Sequence, residues 1–160
     1  MTAIPFTKMD GLGNDFVIID NRDGNVRLTA DQIVALGNRK TGVGFDQLIV
    51  LEKSAKVAVK ILFFNADGSK AGACGNGSRC TAKLLMDQIR SDFVQMEAPD
   101  GRLFLALNPV SGNWGARTPL SVYVSEDGGE SFHPYAVLAD DPTDKSTGKP
   151  AEFSYPSLYV

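Results

Sequence analysis

One cysteine lies where its thiol could do chemistry, at the start of a predicted helix. Ser78 to Ile89 contains no Gly or Pro and its apolar residues recur at helical spacing, which predicts a helix. Cys74 precedes it, in Ala73-Cys-Gly-Asn-Gly77. The first turn of a helix has unpaired N–H groups and a positive dipole end, which favour a thiolate. Cys74 is thus a candidate base or nucleophile, the alternative being a small buried hydrophobic residue in a glycine-rich turn.

The neighbours of Cys74 suit the binding of a small acid. Gly75 and Gly77 allow a tight turn and the close approach of a ligand, and Asn76 offers side-chain and backbone hydrogen bonds. The unpaired N–H groups of the same turn can hold a carboxylate or a phosphate. Cys80, six residues further on, does not share the helix face of Cys74, and we expect it to be a core residue.

Two polar loops are further candidates for a binding site. Gly11 to Asp15 precedes a predicted strand and Asn65 to Ser69 follows another, so both could point amides or carboxylates into a pocket at strand ends. The alternative is that both are ordinary turns, in which Asn, Asp and Gly are common. Neither glycine-rich segment has the phosphate-loop or dinucleotide-binding pattern, which disfavours nucleotide binding.

The elements that must position these residues can be predicted from periodicity and turn signals. Thr29 and Gln32 have capping-box spacing and predict a helix over about 30 to 39. Runs rich in branched and aromatic residues predict strands at Phe16 to Asn21, Asp46 to Leu51, Val57 to Phe64, Phe93 to Glu97, Arg102 to Leu107 and Leu120 to Val124. His133, beside Pro134, is expected in a loop.

Composition narrows the class of protein. The chain has 160 residues, a net charge of −3 and two cysteines. The negative charge argues against nucleic-acid binding by bulk electrostatics. The longest apolar runs have five residues, far short of the roughly 20 that span a bilayer, and the start does not have the pattern of a secretory signal. We therefore expect a cytoplasmic protein that binds no membrane and has no disulfide framework.

Four ordered blocks resemble the N-terminal half of diaminopimelate epimerase. They are Lys8-Met-Asp-Gly-Leu-Gly-Asn-Asp-Phe16, then Asn38-Arg39 with Gly42-Val-Gly-Phe-Asp-Gln-Leu48, then Phe64-Asn-Ala-Asp-Gly-Ser69, then Cys74-Gly-Asn-Gly-Ser-Arg-Cys80. The resemblance implies a cofactor-independent enzyme, without a metal, that inverts the α-carbon of diaminopimelate on the lysine and cell-wall pathway. Two cysteines of that family face each other across the small amino-acid substrate, one removing the α-proton as a thiolate and the other protonating the opposite face.

The resemblance also assigns residues. Cys74 matches the thiolate base. The positions that match substrate contacts are Asn14, Gln47 and Asn65, and those that match the turn holding the substrate carboxylate are Gly75 and Asn76. An α-proton is very weakly acidic, so its removal needs a placed base and donors that stabilise charge on the carboxylate. The thiolate would supply the base, and the N–H groups of the helix N-terminus would supply the donors.

The second part of the chain does not match that family's other half, which should carry the second cysteine. No Cys follows Cys80. Ser125-Glu-Asp-Gly-Gly-Glu-Ser-Phe132 instead resembles the Asp-box hairpin of sialidase-like β-propellers, and Arg117 to Val124 and Glu152 to Pro156 look like pieces of the same family. An Asp box is structural, and about 50 residues supply one propeller blade at most. Arg117 and Tyr155 are therefore expected to be non-catalytic.

We interpret the chain as a composite with a joint near Leu107 to Gly112. Residues 1–107 would form a diaminopimelate epimerase N-terminal-like domain and residues 108–160 an Asp-box β fragment. The expected fold class is α+β, with strands of a half-open barrel around a helix over about 77 to 89, followed by a short antiparallel β segment. Apolar edges left uncovered would allow self-association. The leading function is an epimerase half-site that lacks its second cysteine; the alternatives are a non-catalytic composite or a carbohydrate-related β module.

Overall fold

Nine strands and two helices make up the part of the chain that the computed structural model describes, residues 3–11, 13–72, 74–91, 93–107 and 120–139. In chain order they are β1 (Thr7–Gly11), β2 (Asn14–Asp20), α1 (Ala30–Gly37), β3 (Gln47–Glu52), β4 (Val59–Asn65), β5 (Lys70–Ala71), α2 (Gly75–Ile89), β6 (Val94–Glu97), β7 (Leu103–Leu107), β8 (Leu120–Ser125) and β9 (His133–Ala139).

All nine strands belong to one mixed sheet. Its order is β1-β2-β3-β4-β6-β7-β8-β9, with β5 paired to β4 off this path. The pairs β2·β3 and β4·β6 are parallel and the others are antiparallel. Within the described residues β1 and β9 form the two ends of the sheet, so the sheet is not closed into a barrel.

The two helices cover opposite faces of the sheet because the strand residues alternate. One buried cluster joins α2 to the inward-facing residues of the central strands; it comprises Phe16, Ile18, Ile49, Leu51, Val59, Ile61, Phe63, Cys80, Ala82, Leu85, Met86, Val94 and Met96. A second cluster joins α1 to the other face and comprises Val17, Ile19, Ile33, Phe45, Leu48 and Val50. We call the α2 side the inner face.

Local signals account for the helix ends. The Thr29 hydroxyl accepts the Gln32 N–H at 3.2 Å, and the Gln32 side chain accepts the Thr29 N–H at 2.9 Å, so the predicted capping box is confirmed. Helix α2 ends at Ile89 and is capped by Arg90, whose backbone is left-handed (φ 51°) and whose N–H donates to the Met86 carbonyl.

The predicted strands and helices are confirmed to within a few residues, with additions that sequence reasoning missed. Helix α2 begins at Gly75, three residues before Ser78. The short strands β1 and β5 were not predicted. The expectation that His133 lies in a loop is wrong, because His133 begins β9. An edge strand tolerates Pro134, since its missing N–H breaks no ladder between two inner strands.

The fold is mixed α/β with few helices, and the last two described strands, β8 and β9, are antiparallel. Strand β8 pairs with β7 from Leu103↔Ser125 to Leu107↔Ser121, so β8 and β9 extend the same sheet. Residues 108–119 and 140–160, which hold the joint, Arg117 and Tyr155, lie outside the described residues. The division at residue 107 therefore stays a prediction. No helix in the described ranges is long and apolar enough to cross a membrane.

The capping box generates the first testable prediction. Replacing Thr29 by Ala removes the oxygen that pairs with the Gln32 N–H, and we expect the free energy of unfolding to fall by about 1 kcal/mol. Urea unfolding followed by circular dichroism measures this. Thr41→Ala is the matched control, because Thr41 is exposed and makes its hydrogen bond through the backbone N–H. An equal loss in both variants would contradict a capping role.

Candidate functional site

The inner face changes from apolar to polar at the end where α2 begins. Three neighbouring strands each carry an amide side chain in register with apolar residues of the same face: Asn14 with Phe16 and Ile18 on β2, Gln47 with Ile49 and Leu51 on β3, and Asn65 with Phe63 and Ile61 on β4. The sheet therefore brings the three predicted amides to one end of the buried cluster.

Gln47 and Asn65 form a directly opposed cross-strand pair. The Gln47 Nε2 donates to Asn65 Oδ1 at 2.9 Å, and the Asn65 Nδ2 donates to the Ser69 Oγ at 3.0 Å. The Gln47 Oε1 is buried and accepts no hydrogen bond from the described residues. An unpaired buried acceptor costs free energy, so this oxygen is suited to a ligand donor.

Cys74 is the N-cap of α2. Its Sγ accepts the Gly77 N–H at 3.3 Å, and its carbonyl accepts the Ser78 N–H at 2.8 Å. The half-buried side chain packs against the inner cluster. The thiol thus lies at the N-terminus of a 15-residue helix, as the sequence predicts.

Gly77 lets this helix start lie close to the sheet. A Cβ at Gly77 would be 3.0 Å from both Ile49 Cδ1 and Phe63 Cε1, and 3.4 Å from Cys74 Sγ. Ile49 and Phe63 are themselves opposed and lie one inward-facing pair from Gln47 and Asn65. The cysteine turn is therefore held beside the amide pair by a contact so close that a side chain at Gly77 would have to displace its neighbours.

Asn76 joins the same end of the inner face from the helix. Its Nδ2 donates to Asn14 Oδ1 at 3.0 Å, across 62 residues of sequence. Gly75 is exposed, and the backbone N–H groups of Gly75 and Asn76 have no partner among the described residues. These two donors, which have no acceptor among the described residues, lie next to the thiol, where a carboxylate could bind them.

A charged cluster that sequence reasoning missed as part of the site supports Asn14 from outside. Arg39 donates to both Asp15 oxygens, at 2.8 and 2.7 Å, and to Asp46 Oδ1 at 2.8 Å, and Lys8 lies 3.0 Å from Asp15. The hydrogen bonds from Arg39 hold the pKa of Asp15 well below its usual range. All four residues lie within the sequence blocks that resemble the family. Their place in those blocks is the sequence signal that could have assigned them to the site.

Cys80 is a core residue, as predicted. It is 1% exposed, and burial raises the pKa of its thiol to about 11. Its Sγ lies 3.7 Å from the Asp10 carbonyl. Among the described residues no group of His, Cys, Asp and Glu could hold a metal ion.

The fold class is shared with known structures. The chain is similar to the crystal structure of the Bacillus anthracis phenazine biosynthesis protein of the PhzF family, with a TM-score of 0.52 and 18% identity over 78% of this chain and 40% of that one. At this identity the likeness concerns the fold alone.

The family follows from the sequence. A family model described as "Diaminopimelate epimerase" matches residues 6–118, so the chain belongs to the diaminopimelate epimerase family. It is 46% identical over 99 residues to the diaminopimelate epimerase of Phenylobacterium zucineum (62% of this chain, 36% of that protein), and 50% identical over 91 residues to that of Coxiella burnetii (56% and 33%). The chain thus spans about a third of the length of these curated relatives.

The exposure of the two cysteines leads to a second prediction. In the folded protein Cys74 should react with a disulfide reagent such as DTNB, and Cys80 only after unfolding, because Cys80 is buried and its pKa is raised to about 11. Timed absorbance with and without urea measures the two phases. Cys74→Ala should remove the fast phase and leave the slow one. Two equally fast thiols in native buffer would contradict the structure.

The Asp15 cluster generates a third prediction, on acid stability. Because the pKa of Asp15 is lowered in the folded state, its pairing stabilises the protein above the usual pKa near 3.8, and this stabilisation is lost as the pH falls below it. Arg39→Gln should therefore lower stability at pH 7 and weaken the loss of stability on acidification. Urea midpoints at pH 7, 4 and 3 measure this.

Arg27→Gln is the matched control for that experiment, because Arg27 is exposed and makes no ion pair with the described residues. Its pH dependence should equal that of the parent protein. If the fall of the urea midpoint between pH 7 and pH 3 were the same in Arg39→Gln as in the parent protein, the lowered pKa of Asp15 would not depend on this arginine.

Proposed function

We propose that the chain forms the half-site of an amino-acid epimerase for diaminopimelate, with Cys74 as the thiolate base. The observation that carries this proposal is the position of the Cys74 Sγ at the N-terminus of α2, at the end of the inner face where Asn14, Gln47 and Asn65 meet. Membership of the family supports the reaction class, and the relatives described above are named diaminopimelate epimerases.

The proposed step is a proton transfer from carbon to sulfur. The thiolate takes the α-proton, the C–H electron pair moves toward the carboxylate, and the sulfur becomes a thiol. The N–H groups of Gly75 and Asn76, at the start of α2, stabilise the charge that develops on the carboxylate oxygens. The Gly77 N–H, which donates to the Cys74 Sγ at 3.3 Å, holds the sulfur at the start of α2 before the step.

The amide side chains would orient the rest of the substrate. The free Gln47 Oε1 is an acceptor for an ammonium group, and Asn65, held between Gln47 and Ser69, has a defined orientation. Asn14 and Asn76 border the same space through their mutual hydrogen bond. These contacts would place the α-carbon against the sulfur, as proximity catalysis requires.

Inversion requires an acid on the opposite face, and Cys80 does not suit that role. It lies in the core with a raised pKa, and no Cys follows it in the sequence. We therefore expect this chain by itself to exchange the α-proton on one face without inverting the centre. The proposal also includes that copies of this chain associate through apolar edges, and that residues 1–107 and 108–160 form separate domains.

The Asp-box-like turn is proposed to have a structural role only. Ser125 Oγ donates to Asp127 Oδ1 at 2.7 Å and accepts the Gly129 N–H at 2.8 Å, while Ser131 N donates to Asp127 Oδ1 at 3.0 Å. The Ser131 and Ser125 hydroxyls hold the pKa of Asp127 below its usual range. These bonds tie the β8–β9 hairpin and use the polar groups internally, which favours this role over a carbohydrate-binding module.

Proton exchange tests the proposal. The folded protein is incubated with LL- and meso-diaminopimelate in D2O, and the α-hydrogen signals are followed by NMR. We expect exchange of the α-proton that is reduced at least a hundredfold in Cys74→Ala, the scale of losing a placed base. Cys80→Ala is the matched control, because it removes the other thiol away from the site. Exchange that persists in Cys74→Ala, or none in the folded parent protein, would overturn the proposal.

A further inference from the structure

One row of hydrogen-bonded side chains runs from a surface loop to the first turn of α2. Asp46 accepts Arg39 Nη2 on Oδ1 at 2.8 Å and Asn14 Nδ2 on Oδ2 at 3.2 Å. Asn14 Oδ1 in turn accepts Asn76 Nδ2 at 3.0 Å. We call Asp46, Asn14 and Asn76 the amide relay.

The chemistry of the relay gives it a direction. A carboxylate only accepts hydrogen bonds, so Asn14 must turn its NH2 group toward Asp46. The Asn14 oxygen then faces Asn76, which must donate to it from its own NH2 group. The Asn76 Oδ1 is left over, and none of the hydrogen bonds between described residues ends on it. The ionised Asp46 carboxylate therefore determines which group of Asn14 and of Asn76 donates and which accepts.

The carboxylate end is held in place by three donors. Besides Arg39 and Asn14, the Asp15 N–H donates to Asp46 Oδ2 at 3.0 Å, and the Asp46 N–H donates to the Asp15 carbonyl at 2.9 Å. Arg39 is fixed by its two bonds to Asp15. Asp46 thus has little freedom to rotate, although it lies outside the space beside Cys74.

We infer that Asp46 is a positioning residue that sets the hydrogen-bond polarity of the site, making the Asn76 Oδ1 an acceptor for a donor group of the ligand. For an amino acid that group is the ammonium, and this part of the inference rests on the proposed function. Asp46 acts through Asn14 and touches no substrate.

The substitution Asp46→Asn keeps the shape and reverses the relay. Arg39 only donates and is charged, so the new amide turns its oxygen to Arg39 and its NH2 group to Asn14, and it gives up the weaker, neutral bond from the Asp15 N–H. Asn14 then turns its oxygen outward and its NH2 group to Asn76, and Asn76 presents an NH2 group in place of an acceptor. A donor would face the ammonium of the ligand.

Side-chain amide NMR tests the relay without any ligand. In 15N-labelled protein we expect Asp46→Asn to shift the Asn76 side-chain NH2 signals, although each of the two residues bonds to Asn14 and not to the other. We expect no such effect of Asp46→Asn when it is made in an Asn14→Ala background. Asp23→Asn is the matched control, because Asp23 accepts the Asn25 N–H and Nδ2 at 3.1 and 2.7 Å in an exposed turn. Unchanged Asn76 signals in a natively folded Asp46→Asn protein would overturn the inference.

Calorimetric titration with meso-diaminopimelate tests the consequence. We expect Asp46→Asn to raise Kd about tenfold or more, the scale of losing a hydrogen bond to a charged group. Asp46→Glu, which keeps an acceptor-only end, should recover most of the affinity, and Asp23→Asn should leave Kd unchanged. A merely structural role would lower affinity equally in both Asp46 variants.

The two levels can fail separately. If the NMR response travels through Asn14 but the parent protein binds no diaminopimelate, the proposed function is wrong and the relay stands. If the parent binds and Asp46→Asn binds equally well, Asp46 does not set the polarity of the site.

Discussion

The contact between Gly77 and the inner face of the sheet is the constraint on which the candidate site depends. Without a side chain at Gly77, α2 begins against Ile49 and Phe63, and the N-cap thiol is held beside the Gln47–Asn65 pair. The buried cluster behind this contact, from Phe16 to Met96, stabilises the helix along its length by removing apolar surface from water. Packing of the helix on the sheet therefore determines where the chemistry can occur.

The site is polar on one side and supported by charge on the other. The orientation of Asn14 has few alternatives, because its neighbour Asp46 only accepts hydrogen bonds and is itself held by Arg39, which only donates. Exposed ion pairs contribute little to stability one at a time. Here the pairs Arg39–Asp15 and Arg39–Asp46 join the β1–β2 hairpin to the loop before β3, so they order two segments that carry site residues.

The sheet continues beyond the site without closing. Strands β8 and β9 extend it through β7, and the Ser125–Asp127–Ser131 hydrogen bonds hold the hairpin between them. Tyr135 packs edge-on against Phe104, with ring centroids 5.2 Å apart, so the last strand contributes to the same sheet face as β7. A segment whose composition and motif differ from the preceding part is thus accommodated by ordinary strand pairing, which depends on backbone hydrogen bonds.

Sequence by itself determined the local features of this protein. Capping-box spacing placed α1, glycine-rich spacing placed Cys74 at a helix start, and runs rich in branched and aromatic residues located most strands, because each of these depends on neighbours within a few residues. It also identified the family, through blocks that include Asn14, Gln47 and Asn65. It missed β1 and the strand β9 that begins at His133, because these strands are defined by their pairing with β2 and β8. It also did not assign Asp46 or Arg39 to the site. Only the tertiary structure decided which acceptor faces which donor across 62 residues, because hydrogen-bond direction is settled when the side chains meet.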